Sequence, residues 1–192
     1  MIQLAKTEKI IKNGWPDIRN IKMNWGHTSL RMEYSYVEGY ITTLKGTKVL
    51  AYEYIKDSLR IELFDRLTKK KIDKPASYFE QFKFDLSYNC FGYCFAESKV
   101  FLPDPTKFLE EEYEEVEREK AELILFKQFK GYGDNGEEIR IFFHAAKVLP
   151  NGNVSFKPGI NALVEDVGIK ETIYVYNLNH EAYYRKKNNL RL

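Results

Sequence analysis

Two cysteines and three histidines are all that 192 residues offer of the side chains most used as nucleophiles, bases and soft metal ligands. Cys90 and Cys94 stand one helical turn apart, which is not the pattern of a disulfide framework, and both read as free thiols. A zinc site would show paired knuckles of the Cys-x-x-Cys or His-x-x-x-His kind, and neither occurs. Also absent are a Gly-rich phosphate loop, a Gly-x-Ser-x-Gly elbow and a His-Glu-x-x-His pair, so no metal or cofactor is expected. No run approaches the roughly 18 apolar residues of a membrane helix, and the first residues lack the apolar centre of a signal peptide. The expected setting is the cytoplasm, with no membrane partner. Charge of one sign is missing too. Thirty Lys and Arg against 28 Asp and Glu leave +2, a field too weak to recommend nucleic acid as a specific partner. The runs Lys69-Lys70-Lys71 and Arg185-Lys186-Lys187 read as solvated surface.

Apolar and aromatic material is what the chain has in quantity. It is 44% hydrophobic, with 14 Tyr and 13 Phe, enough for one compact core, and it is too short for two full-sized domains. Two portions differ in character. From Ser29 to Phe64 apolar and polar residues alternate, with turn material at Lys45-Gly46-Thr47 and Lys56-Asp57-Ser58, which predicts an antiparallel meander. Asn13-Gly14-Trp15-Pro16 predicts a turn before it, and Lys69 to Ala76 a linker after it. Residues 1–80 therefore read as an N-terminal β-meander portion and residues 81–192 as the main core.

In the second portion Phe91 to Ala96 predicts a buried helix. Pro103-Asp104-Pro105-Thr106 predicts a break, from which an acidic, exposed helix starts at Asp104 or Thr106 and continues through Glu122. Strands are predicted at 122–129, 138–149 and 153–159, with the last two joined at Pro150-Asn151-Gly152, and a further one at Thr172 to Leu178. Helices followed by an antiparallel sheet predict an α+β fold with the helices packed on one face.

A thiol becomes a useful nucleophile when its thiolate is stabilised, and a helix N-terminus beside an imidazole does this. Cys90 lies at the junction between Tyr88-Asn89 and the buried helix, whereas Cys94 is one turn further in and reads as structural. Among the histidines, His144 sits in the middle of an apolar strand, where an ionisable ring is costly without a partner. A thiolate across the seam between helix and sheet would be one partner. A backbone carbonyl satisfying a core histidine is the plainer alternative. His27 and His180 read as surface loop residues.

YNCFGYCFAESKVFLP, the acidic segment, AELILF, FFHAAKVLPNGNVSFKPG and the closing YVYNLNHEAYYRK together resemble the NlpC-type branch of the papain-like cysteine peptidases and amidases, over about residues 84–187. The resemblance implies a papain-like core in which Cys90 is the nucleophile and His144 its general base and acid. In that family a His, Asn or Gln on the following strand orients the imidazole. Here Ser155 and Lys157 share one face of that strand and Phe156 takes the other. Ser155 is the expected third member, because a hydroxyl can accept from the ring and an ammonium cannot. The family's Asp before the cysteine is replaced by Asn89. Asn89 and Tyr88 are candidates for oxyanion support, against plainer roles as helix cap and core aromatic.

The implied activity is cleavage of a peptide or amide bond through a Cys90 thioester, on a peptide or amide substrate such as a protein or peptidoglycan fragment. Delivery by a viral or effector route would suit a hydrolase that lacks a secretion signal. Transacylation and deamidation would use the same chemistry. A reading from another class makes the chain a non-catalytic binding protein in which Cys90 is an inert buried thiol.

Overall fold

The computed structural model of the chain describes residues 5–12, 28–56, 58–65, 67–80, 84–159, 161–170 and 180–188. The turn expected at Asn13 to Pro16, His27, and the strand expected at Thr172 to Leu178 lie outside the described residues.

Strands dominate what is described. β1 (Ala5–Lys12), β3 (Ser35–Thr42) and β4 (Lys48–Tyr54) form a sheet in the order β1-β3-β4. β2 (Thr28–Glu33), β5 (Arg60–Asp65) and β6 (Lys71–Ile72) form a second in the order β2-β5-β6. The largest sheet has six strands: β7 (Tyr113–Glu115), β8 (Leu123–Tyr132), β9 (Glu138–Val148), β10 (Val154–Phe156), β11 (Val164–Val167) and β12 (His180–Lys186). Their order is β11-β10-β9-β8-β12-β7, and each pairing is antiparallel. The helices are short: α1 (Ala76–Glu80), α2 (Cys90–Phe95) and α3 (Thr106–Glu112).

The expected papain-like α+β core is therefore corrected to a mostly β architecture with a few short helices. The main departure is at Phe108 to Glu122. There α3 stops at Glu112, Tyr113 pairs with Lys186 on β12, and a single 3-10 turn follows at Arg118–Lys120. Glu-rich sequence favours helix only weakly, by tenths of a kcal/mol per residue. Seating the Tyr113 ring edge-on against Phe95, with centroids 5.4 Å apart, together with a ladder of backbone bonds to β12, outweighs that preference. His180, expected in a loop, opens β12.

Strands do run through Ser29 to Phe64, but their pairing is not that of a meander. β3 and β4 form a hairpin whose turn uses Gly46 at φ +85°, a conformation that glycine adopts without strain. β2 instead reaches across this hairpin to pair with β5. The expected linker contains β6, which pairs with β5.

One core spans both portions of the chain. Ile41, Val49 and Ala51 pack with Cys90, Leu102, Leu125 and Ala145 on one face of the six-stranded sheet. Tyr52 and Phe101 exchange backbone hydrogen bonds of 2.9 and 2.8 Å, and the Tyr36 hydroxyl donates to the Leu86 carbonyl at 3.1 Å. α3 ties down the β3–β4 turn: the Glu111 carboxylate accepts from the hydroxyls of Thr43 and Thr47, and Glu112 Oε1 accepts the Leu44 N–H at 2.6 Å.

The opposite sheet face carries a second cluster, including Ile124, Phe126, Ala146, Val154 and Phe156. The centre of the sheet is thus buried on both sides. Past it, among the described residues, β8 and β9 run on as a two-stranded ribbon, because β12 covers β8 only over Leu123 to Lys127 and β10 covers β9 only over Ala146 to Val148. Ile139, Ile141 and Phe143 are exposed on this ribbon. No helix among the described residues is long and apolar enough to cross a membrane.

Candidate functional site

α2 starts at Cys90 because Asn89 caps it. The Asn89 backbone is extended, at φ −107°, and its Oδ1 accepts the Gly92 N–H at 2.8 Å. The same side chain grips the returning chain, where Oδ1 accepts the Leu102 N–H at 3.0 Å and Nδ2 donates to the Leu102 carbonyl at 2.7 Å. Backbone groups therefore use this amide from both ends, which makes it a cap and a tie rather than an oxyanion donor. Gly92 lets the return pass close by: a Cβ there would stand 1.9 Å from the Val100 carbonyl oxygen. The Tyr88 ring stacks on Tyr93 with centroids 6.4 Å apart, and the Lys157 Nζ lies 5.0 Å from its centre.

Cys90 is buried, and burial pushes its thiol up to about 11. Backbone groups of Ala145, Phe91 and Cys90 and the charge of Lys157 act in the opposite direction but do not overcome it. Burial raises the Cys94 thiol well above its ordinary value, with Cys90 adding to the rise. An attacking thiolate needs the reverse shift. α2 is also only six residues long, so its dipole is small.

His144 is on the other side of the sheet. Its ring stacks on Phe126, with centroids 5.9 Å apart and planes at 24°, and meets Phe156 edge-on at 5.3 Å. Phe126 and Phe156 belong to the cluster that faces away from α2, whereas Cys90 packs with Ala145, the next residue along β9. Alternation along β9 thus sends the two candidate partners to opposite faces, and the sheet stands between them. Burial lowers the imidazole to about 3, so the ring is neutral at physiological pH. The expected Cys90–His144 juxtaposition is corrected accordingly: the chain does not bring sulfur and ring together.

Ser155 faces α2, as the alternation of Val154 to Lys157 predicts, and so it cannot orient His144. Its Oγ lies 2.8 Å from the Tyr93 hydroxyl and donates to the Val164 carbonyl at 3.2 Å. Two places along, Lys157 is fully buried. Its Nζ donates to the carbonyls of Asp85 at 2.7 Å, Gly159 at 3.2 Å and Asn161 at 2.6 Å, with the Asp85 carboxylate 3.9 Å away. Burial lowers this ammonium to about 8, against the opposing influence of Asp85 and Cys90. Three donors meet three carbonyls, so the group is satisfied and locks 84–88 to the loop after β10.

No family model, curated protein or solved structure matches this chain. Its chemistry must be read from its own residues. The five expected site residues divide into four around α2, namely Cys90, Asn89, Tyr88 and Ser155, and one beyond the sheet, His144. No group of three or more metal-ligating side chains occurs among the described residues. The α2 neighbourhood offers instead a cleft of about 580 Å³ beside Tyr93 and Cys94, into which Lys147 and Lys186 also reach. Sequence reading did not single out Lys147, and it set Lys157 aside as unable to accept from the imidazole. Lys186 lay in a basic run read as solvated, yet in the fold it is half-buried beside α3. The available signal was positional: Lys147 follows the apolar pair Ala145-Ala146 on β9, and Lys157 lies one residue past β10, two places from Ser155 on the same face.

Proposed function

We propose that the chain is a binding protein and that Cys90 serves as a buried packing residue, not as a nucleophile. The observation that carries this reading is the six-stranded sheet lying between Cys90 and His144. Hydrolysis, transacylation and deamidation through a cysteine all require a base within hydrogen-bond reach of the sulfur, about 3 Å or one water away. The neutral thiol and the neutral imidazole support the same reading, since an activated pair exists as thiolate and imidazolium. Two free thiols fit a reducing compartment.

Alkylation with iodoacetamide, followed residue by residue by peptide mass spectrometry, tests it. Cys90 in the folded protein should label more slowly than an exposed thiol at pH 7.5, and His144→Ala should not slow it further. Rapid labelling that collapses in His144→Ala would restore the catalytic pair and end the binding reading. Unfolding in urea should bring both cysteines to an ordinary thiol rate.

A further inference from the structure

The cleft beside α2 is neutral in formal charge, but among the described residues its lysines and carboxylates are not paired with one another. Four acidic and basic side chains line it, Lys147, Lys186, Glu97 and Glu112, and their formal charges sum to zero. The carboxylates are already engaged: Glu97 pairs with Lys99, and Glu112, itself buried, accepts the Leu44 N–H at 2.6 Å. The lysines are not. Lys147 Nζ sits 4.1 Å from the centre of the Tyr93 ring, and neither Lys147 nor Lys186 has a carboxylate within ion-pair reach among the described residues. The two come from β9 and β12, on either side of β8. Leu123 of β8 pairs with Lys147 and with Tyr184, and Lys186 stands two places beyond Tyr184 on the same face. Two half-buried ammoniums thus converge on one enclosure whose acids are occupied.

We propose that this cleft binds a small organic anion, bearing a phosphate or carboxylate group, held between Lys147 and Lys186. About 580 Å³ lies within the few-hundred to thousand Å³ range of small-molecule sites. The enclosure therefore fits a compact ligand rather than an acidic protein surface. Tyr93, Phe95 and Phe108 give the anion's apolar part a place to lie. Ammonium groups removed partly from water also hold an anion more strongly than fully solvated ones.

The inference names a ligand class for the binding reading and rests on that reading. The two fail separately, because His144-dependent labelling of Cys90 would overturn the first without changing anion affinity.

Calorimetric titration of the full chain with phenyl phosphate and, separately, with benzoate is the test, with phenol as the uncharged control. Saturable binding of one or both anions but not of phenol is expected, and the tighter arm identifies the anionic group. Lys147→Gln and Lys186→Gln should each weaken the tighter anion at least tenfold. Lys130→Gln, an exposed position on the ribbon, should leave it within twofold, with the urea midpoint confirming that every variant is folded. Absence of saturable binding by either anion, or binding equally strong in folded Lys147→Gln and Lys186→Gln, would overturn the proposal.

Discussion

Ser155 of β10 and Lys157, one residue past its end, point toward α2, while Val154 and Phe156 point to the opposite side, and all four are buried. Neighbours on one short segment thus meet two different solutions to burial. Toward α2 the polar groups are answered individually, Ser155 by Tyr93 and Val164, and Lys157 by three carbonyls. On the far face the ionisable ring of His144 lies between aromatic rings and gives up its charge. The first solution fixes loop positions through directional bonds. The second depends on ring packing, which is less directional, and on neutrality. The contrast teaches that a polar residue inside a sheet buried on both faces need not mark chemistry, because either face can accommodate one by different physics.

The comparison is most exposed at Lys157. Replacing it with Met keeps the length and apolar stem but strands the carbonyls of Asp85, Gly159 and Asn161. A loss of about 4 kcal/mol is expected, since each abandoned carbonyl costs on the order of 1 kcal/mol or more and the loop loses its anchor. Urea unfolding at pH 7 measures it. A loss below about 1 kcal/mol would mean that the α2 face is held by apolar packing like the other, and the contrast would dissolve.

The far face should show itself in pH dependence. The His144 ring is lowered to about 3 in the fold, against an ordinary value near 6.5 in the unfolded chain. Above pH 6.5 the ring is neutral in both states and the full stability is present. As pH falls from 6.5 toward 3, the unfolded chain takes up the proton first and stability is lost, at up to about 1.4 kcal/mol per pH unit. Between pH 7 and pH 5 this amounts to about 2 kcal/mol. His144→Phe retains a ring between Phe126 and Phe156 and removes the titration. Its stability should therefore fall less than the wild type's over that interval by about this amount. Equal slopes would show that the imidazole is not neutralised by burial.

The sequence pattern carried the strand positions better than the pairing. Alternation placed β3, β4, β8, β9 and β10 and the turns at Gly46 and Gly152, because period-two burial and turn chemistry are local. It missed that β2 bypasses the β3–β4 hairpin to reach β5, since partner choice among similar strands depends on contacts far apart in sequence. At the candidate site, the cap at Asn89 and the start of a buried helix at Cys90 were legible for the same local reason. The face of His144 was not. A register shift on β8–β9 lies between the Phe126–His144 and Lys127–Phe142 pairs, so counting from Phe142 puts the ring on the wrong side. Resemblance in the order of elements could not reveal a single extra residue in a strand.

Ser155 offers the smallest and most local test of the two-face picture. Its hydroxyl joins the Tyr93 hydroxyl to the Val164 carbonyl, so it links α2, β10 and the start of β11. Ser155→Ala removes that link without a large cavity and leaves two polar atoms to find other partners. About 1 kcal/mol of stability should be lost, the usual net value of a buried hydrogen bond between neutral groups. Ser155→Thr would restore the hydroxyl but add a methyl in a fully packed place, so only partial recovery is expected. Because Ser155 lies across the sheet from His144, the pH dependence between 7 and 5 should match the wild type in both variants, even as the midpoint at pH 7 shifts. A changed pH slope in Ser155→Ala would couple the two faces, which their separation by the sheet forbids.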